Sequence, residues 1–544
     1  MATHDVVNQP PPLIDYNPYL GDATLQAALA REGGSRAHDD LIGLGAEAGS
    51  AEVIEWGFQA NANVPRLVTH DPYGHRIDRV DFHPAWHALM TLSVSRGLHS
   101  LPWEGRGEGG YAARAAGFFL MSQIEQGHGC PISMTTSVIP SLRLQPDLAA
   151  EWEPDVLSRT YDPAFAPRSK KSGVLLGMAL TEKQGGSDVR SNLATAVPIN
   201  GGGSGGEYAL TGHKWFCSAP MSDAFLVLAQ APGGLSCFLL PRWTPGDEPN
   251  PISIIRLKDK LGNRSNASSE IEFEGAWGRM VGEEGRGVRT IIEMINHTRL
   301  DCVIGSAAIM RQAVTQAVHH SRHRTAFGAL LAGQPLMQNV LADLVVESEA
   351  ATLLMMRLAG SFDRSEDPFE ASFLRLATSV GKYWVCKRTP VLSGEALECL
   401  GGNGYVEESN LPRLYRESPV NSVWEGSGNV IALDVVRALN RSPASLEAVL
   451  AEINLASGAD DRLDAAIGHL EGAVGDLTDG ESQARRLVEA LALTLQGSLA
   501  VRYGSPAVAD AFLASRFSSG WGRAFGTLPP GIDFESILRL VDVG

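Results

Sequence analysis

The sequence predicts an α+β chain: a helical N-terminal domain, a central β-barrel domain, a C-terminal helical bundle and an extra helical C-terminal region. Three observations predict it. Between about 174 and 275, short β-prone runs at 174–180, 208–210, 225–229, 236–240, 252–257 and 270–273 are separated by Gly, Pro, Asn and Asp, as in a compact barrel or sandwich. The segments 286–322, 334–362 and 368–399 carry apolar residues at three- and four-residue spacing over long, Gly-poor stretches joined by short connections, as in a bundle. Residues 1 to about 170 are mostly helical in pattern, after an irregular start. The implied domains are 1–173, 174–285, 286–440 and 441–544.

Within the first domain, Asp71-Pro-Tyr-Gly74 is turn chemistry between two short extended runs, 66–70 and 75–80, and predicts a hairpin. The Ala-rich stretch 111–125 predicts a helix. In the β domain, the tract Gly201-Gly-Gly-Ser-Gly-Gly206 reads as a flexible surface turn. After the bundle segments, Gly401-Gly402-Asn403-Gly404 breaks the helical pattern and a further helix is expected to begin near Gly428. Beyond 441, helical periodicity is clearest at 445–453 and 482–499.

The formal net charge of −17 over 544 residues disfavours non-specific attraction to nucleic acid or anionic membranes. The six cysteines are scattered, with no Cys-x-x-Cys pair, which points to a reduced, intracellular chain and not to a disulfide or zinc framework. The Pro-rich start lacks a basic-then-apolar leader, and no apolar run reaches the roughly 20 residues of a membrane span, so a cytoplasmic location is expected. His83 and His87 stand at i and i+4, a spacing open to metal, but Pro84 beside them and the lack of a carboxylate motif favour a structural role; no metal is expected.

Three runs carry chemistry. In Ala179-Leu-Thr-Glu-Lys-Gln-Gly-Gly-Ser-Asp-Val-Arg-Ser191 a strand ends in a Gly-rich loop. Thr181 and Ser187 offer hydroxyls there, and Gly185-Gly186 allows close backbone approach to a ligand. By pattern alone it is equally an ordinary turn. Gly212-His-Lys-Trp-Phe-Cys-Ser218 is a strand with an aromatic pair ending in a hydroxyl, and alone it reads as a core strand. The third run, from Glu398-Cys-Leu-Gly-Gly-Asn-Gly-Tyr405 through Arg413 and Glu417 to Asn421-Ser-Val-Trp-Glu-Gly-Ser-Gly-Asn429, places Gly-rich turns beside helices. Such turns suit a pyrophosphate held by backbone N–H groups, or simply end a helix.

Together, in this order and context, the runs resemble the acyl-CoA dehydrogenase family over residues 80 to 440. The resemblance implies an FAD protein, assembled as a homotetramer. It implies that Met178, Thr181, Gly186 and Ser187 contact FAD and that Phe216, Cys217 and Ser218 lie along the isoalloxazine, with Ser218 the hydroxyl near N5. Arg324-Thr-Ala-Phe-Gly328 is similar to the family's Arg-x-x-Phe-Gly, so Arg324 and Phe327 should meet the dinucleotide part of FAD from a neighbouring subunit. Gln334 falls one residue short of the family's glutamine spacing. Gly401 and Gly402 resemble the pyrophosphate-side turn, while Glu398 stands where many members carry Gln. Trp424-Glu-Gly-Ser427 resembles the family's Tyr-Glu-Gly-Thr, which makes Glu425 the base that removes the α-proton of an acyl thioester; Trp424, Ser427 and Asn429 then flank the cofactor. Members that keep the base on a bundle helix place it near Thr298 here, and Thr298 offers no carboxylate.

Two departures matter. Trp424 replaces a smaller Tyr, which should narrow the acyl pocket toward a short or branched acyl-CoA. The segments Phe82-His-Pro-Ala-Trp-His87, 257–267 and Leu411-Pro-Arg-Leu-Tyr-Arg416, with the additional residues at both ends, are similar to a branch of the family tied to the bacterial response to DNA alkylation. Partners are therefore a small acyl thioester or related substrate, an electron-transfer acceptor and, as an alternative function, double-stranded DNA. Against DNA, residues 441–544 hold eight Lys and Arg against 14 Asp and Glu; Arg485, Arg486, Arg502, Arg516 and Arg523 would have to cluster on folding.

Overall fold

The computed structural model describes residues 3–105, 109–475, 480–518 and 524–542. The chain divides into two compact units, one of residues 55–106 and 125–298, the other of 1–54, 107–124 and 299–544.

The first unit is built on a sheet. The expected hairpin is present as β1 (Arg66–His70) and β2 (Arg76–Asp81). Asp71 shapes its turn by accepting hydrogen bonds from the Tyr73 and His75 amides. The main sheet comprises β3 (Leu176–Ala179), β4 (Thr195–Pro198), β5 (Glu207–Ser218), β6 (Ala224–Ala231), β7 (Gly234–Pro241), β8 (Ile252–Leu257) and β9 (Ser268–Val281). Strands β6, β7, β9, β5 and β4 pair in a ring that closes through Thr195 of β4 beside Gln230 of β6; β3 runs parallel to β6, and β8 lies along β9. This is the predicted barrel.

Alternation along β6 shows why it is central. Phe225, Val227 and Ala229 fill the barrel with Tyr208, Leu210, Phe238 and Phe273. Leu226 and Leu228 face outward onto a second cluster with Ile139, Leu142, Trp152 and Ile291 from flanking helices. Both faces are buried, so the run is continuously apolar. The runs 208–210 and 212–218 are one twelve-residue strand, β5, interrupted by a register shift at Leu210/Gly212. Gly212, at φ +154°, lies so close to Ala194 that a Cβ would stand 2.6 Å from its side chain. His83 caps the helix Pro84–Ser95 by accepting from the Ala85 amide at 3.2 Å, and the His87 ring is bonded to the Tyr161 hydroxyl at 2.9 Å.

The second unit is helical. The long helices are Gly287–His323, which enters the unit at Arg299, Pro335–Asp363 and Pro368–Cys399. Each of the latter two has Pro in its first turn, and Asp367 caps the last by accepting from the Phe369 and Glu370 amides. The helix Gly110–Ile124 is buried on every side from Tyr111 to Ile124; its Arg114 is matched by Asp301, with Nη2 to Oδ2 at 2.8 Å. Gly428–Arg441 follows, and then Pro443–Asn454, Gly480–Tyr503 and Pro506–Arg516 pack against the bundle.

These last helices are tied down by buried ions. Arg516 donates to Glu347 at 2.8 Å and to Asp343, while Arg388 reaches Glu347 from the other side at 3.0 Å. Burial pushes the Glu347 carboxyl up, but the two guanidinium groups outweigh it and hold it down at about 2. Glu452 accepts from Arg357 at 2.8 Å and from Arg502 at 2.7 Å.

Candidate functional site

In the sheet unit, Met178 lies half-buried on β3, and Thr181 opens the Gly-rich loop, its carbonyl accepting from the Trp215 amide of β5 at 2.8 Å. Gly186 and Ser187 are exposed. The loop is organised from beneath by a residue that motif reading passed over. Glu182 is fully buried, and it accepts from Lys214 Nζ at 2.7 Å and from the Leu193 and Ala194 amides at 2.7 and 3.2 Å. Lys214 is equally buried and also donates to the Leu228 carbonyl. Asn192 Nδ2 returns to the Leu180 carbonyl at 2.9 Å and closes the loop on itself.

On β5 the register shifts again between Lys214 and Cys217, so Trp215 and Phe216 form a bulge opposite Glu270. Phe216 is half exposed and Ser218 partly so. Cys217 turns into the barrel core, where burial pushes its thiol up to about 12, so only its backbone remains to meet a ligand. Lys258 stands 3.6 Å from the Trp215 ring centre and 4.5 Å from that of Phe216.

In the helical unit, Glu425 sits at φ +57° between Trp424 and Gly426, a left-handed conformation unusual for Glu. Its neighbourhood explains how the turn persists. Lys382, buried on the helix Pro368–Cys399, donates to the Trp424 carbonyl at 2.8 Å and to the Gly426 carbonyl. Arg299 Nε donates to the Glu425 carbonyl at 3.0 Å, while its Nη2 reaches Asp434. Three successive carbonyls are thus each met by a buried cation. Trp424 is fixed in turn: its indole N–H donates to Asn421 Oδ1 at 2.9 Å, and Asn421 Nδ2 donates to Ser306 at 3.1 Å. Lys382, Arg299 and Asn421 were not singled out from the sequence, where Lys382 stands out only as a cation within a largely apolar helical stretch and Arg299 and Asn421 carry no distinguishing signal.

Ser427 is the N-cap position of the helix Gly428–Arg441, and Asn429 accepts from Arg485 at 2.8 Å. Gly401, at φ +59°, and Gly402 are exposed, with open space where a Cβ would stand. Arg324, Phe327 and Gln334 come together around a small hairpin, β10 (Thr325–Ala326) with β11 (Ala329–Leu330): Gln334 Nε2 donates to the Ala326 carbonyl at 2.9 Å, and Phe327 stands fully exposed on the turn. Thr298, buried on its helix, donates to the Ile295 carbonyl. Of the tail arginines, Arg516 is buried and Arg502 is paired with Glu452, so neither lies on a common basic face; Arg485 and Arg486 are exposed, and Arg523 lies outside the described residues.

This fold and these motif-bearing turns belong to one class. Residues 8–163 match the adaptive response protein AidB N-terminal domain, 177–276 the acyl-CoA dehydrogenase middle domain and 285–440 the acyl-CoA dehydrogenase C-terminal domain. The chain belongs to the acyl-CoA dehydrogenase family. It is 45% identical over 512 residues to AidB of Escherichia coli (strain K12), covering 94% of each chain. It is 33% identical over 450 residues to acyl-CoA dehydrogenase family member 11 of Caenorhabditis elegans, covering 78% of this chain and 71% of that one. Among solved structures, Caenorhabditis elegans ACDH-11 in complex with C11-CoA matches with a TM-score of 0.84 at 28% identity, over 99% of this chain and 93% of the other. Among the described residues, no helix is long and apolar enough to cross a membrane.

Proposed function

We propose that the chain is an FAD-dependent dehydrogenase of acyl-CoA thioesters in which Glu425 is the base, acting on a short or branched acyl group. The observation that carries this reading is the Trp424–Gly426 turn. A carboxylate is held in a strained backbone conformation by Lys382 and Arg299, within the family motif that bears the base. Such strain persists only where the surroundings over-determine it, which is a mark of functional positions.

The residues present fit the cofactor. Gly401 and Gly402 leave their backbone open to close approach, as a pyrophosphate held by N–H groups requires. Thr181 and Ser187 supply hydroxyls from a loop whose shape Glu182 and Lys214 fix. Met178, Gly186, Phe216, the Cys217 backbone and Ser218 would line the flavin, and Arg324, Phe327, Gln334, Ser427 and Asn429 the remainder. Bound FAD supplies the acceptor for the hydride that leaves the β-carbon.

Glu425 takes the α-proton. Lys382 and Arg299, bonded to the backbone of its own turn, hold it in place for that step. Trp424, clamped by Asn421, presents a ring larger than Tyr beside the base and limits acyl size. The assembly in which this happens is a homotetramer, with electrons passed on to a separate acceptor protein.

Anaerobic titration of the flavin-loaded protein against short straight, short branched and C11 acyl-CoAs tests the reading. Bleaching of the flavin band by a short or branched member is expected. Bleaching by C11-CoA alone would refute the size argument, and no bleaching by any thioester would refute the dehydrogenase assignment.

A further inference from the structure

The hairpin that carries Arg324 and Phe327 cannot hold its own shape. Its strands are two residues each, and its turn residues Phe327 and Gly328 sit at φ +53° and +82°. Positive φ at both central positions is the geometry that Asn-Gly or Asp-Gly adopts readily and that a Phe adopts only at a cost. Phe327 is also 101% exposed, so no packing beneath the ring stabilises the turn. A hairpin this short is marginal without outside support.

The support comes from the far end of the chain. Asn8 lies 317 residues from Thr325 and exchanges three hydrogen bonds with it: Oδ1 accepts from the Thr325 amide at 2.8 Å and from its hydroxyl at 2.7 Å, and Nδ2 donates to its carbonyl at 2.9 Å. The Asn8 carbonyl accepts from the Arg324 guanidinium. Asn8 itself is at φ +57°, a left-handed conformation that Asn tolerates better than most residues. The following residues anchor the strap. His319 Nε2 donates to the Pro11 carbonyl at 2.9 Å, Gln9 Oε1 accepts from Asn403 in the Gly-rich turn at 3.4 Å, and Pro10, Pro11 and Pro12 stiffen the segment.

We propose that Asn8 is a positioning residue that locks the 324–330 hairpin and the Arg324 side chain in the arrangement that receives the cofactor. The inference rests on the reading of Arg324 and Phe327 as FAD contacts. The N-terminal strap thus acts at the cofactor site through the hairpin and not by touching the reacting atoms.

The test uses the full chain, stripped of FAD and titrated back, alongside hydrogen–deuterium exchange over 324–330. Asn8→Gly keeps the left-handed backbone but removes all three side-chain bonds; Asn8→Asp keeps the two acceptor bonds and serves as the conservative rescue. Exchange in the hairpin about tenfold faster and FAD affinity about tenfold weaker are expected in Asn8→Gly, with an unchanged melting temperature and most of both effects restored in Asn8→Asp. Unchanged exchange, or faster exchange with unchanged affinity, overturns the proposal. Arg324→Ala and Phe327→Ala separate the two levels. If they weaken FAD binding while Asn8→Gly does not, only the positioning role falls; if they too leave FAD affinity intact, the cofactor reading of the hairpin falls with it.

Discussion

The loop after β3 and the turn around Glu425 solve the same problem with opposite charge arrangements. Each must hold an irregular backbone in one shape. In the first, a buried anion gathers amides: Glu182 accepts from Leu193 and Ala194, and Lys214 balances its charge within 2.7 Å. In the second, buried cations gather carbonyls, with Lys382 and Arg299 meeting those of Trp424, Glu425 and Gly426. The first arrangement is internally neutral and has no ionisable group left over, which suits a binding surface. The second places Lys382 and the Asp434-paired Arg299 under a turn whose side chain is itself a carboxylate, which suits a group that must be held in one position to react.

The largest expected effect separates the two regions by function. Glu425→Gln should lower turnover by about 10²- to 10⁴-fold, the usual contribution of a positioned base, while FAD remains bound at wild-type occupancy in the visible spectrum. No comparable loss should follow from any substitution in the β3 loop that preserves flavin.

Next comes the neutral pair. Lys214→Met leaves the Glu182 carboxylate buried without its cation and should destabilise the fold by about 3–5 kcal/mol in urea unfolding. The double variant Lys214→Met with Glu182→Gln should recover a large part of this, because no uncompensated charge remains. A double variant as unstable as the single one would show that shape, not charge balance, governs the loop.

Lys382→Met removes the donor to two part-buried carbonyls and breaks no buried ion pair, so the stability loss should be smaller, about 1–3 kcal/mol. Its effect on turnover should nonetheless exceed that of Lys214→Met measured on folded, flavin-loaded protein. The reverse order would show that the β3 loop, and not the Glu425 turn, governs turnover. Smaller still, Trp424→Tyr should shift kcat/KM about tenfold from short toward longer acyl-CoAs, as expected for a change of about one or two methylenes of pocket space.

A pH effect sharpens a third buried network, the one that anchors the C-terminal helices. Glu347 is held near 2 in the folded chain, below its ordinary carboxylate value of about 4.3 when unfolded. Its contribution is therefore fully present above that ordinary value and is lost as the pH falls toward 2. Limited proteolysis between pH 5 and 2.5 should show the helix Pro506–Arg516 becoming cleavable as acid weakens its hold. Duplex DNA binding that depends on Arg516 is not expected near neutral pH, since that side chain is occupied; a salt-sensitive anisotropy change abolished by Arg516→Ala, with the fold intact, would contradict this.

Much of the architecture was legible because it is written in local periodicity. The helix expected over 368–399 is Pro368–Cys399, and that expected over 286–322 is Gly287–His323. The barrel was legible from its turn-separated runs, although 208–210 and 212–218 gave no sign of being one strand, since a bulge interrupts the alternation by which strands are recognised. The position of Glu425 was legible through its motif. What supports it was not. Lys382 and Arg299 reach the turn from 42 and 126 residues away, and Glu182 meets Lys214 across 32; burial of a charge is decided by such distant partners and leaves almost no local trace. Cys217 shows the converse case, a motif residue whose side chain the strand's alternation sends into the core, leaving its backbone for the expected contact.

If Glu425 removes the α-proton, the most direct measurement follows that proton. Flavin-loaded wild-type protein incubated with a short acyl-CoA in D2O should incorporate deuterium at the α-carbon, read by mass spectrometry, and Glu425→Gln with the same flavin content should not. Wild-type incorporation in Glu425→Gln would contradict the account.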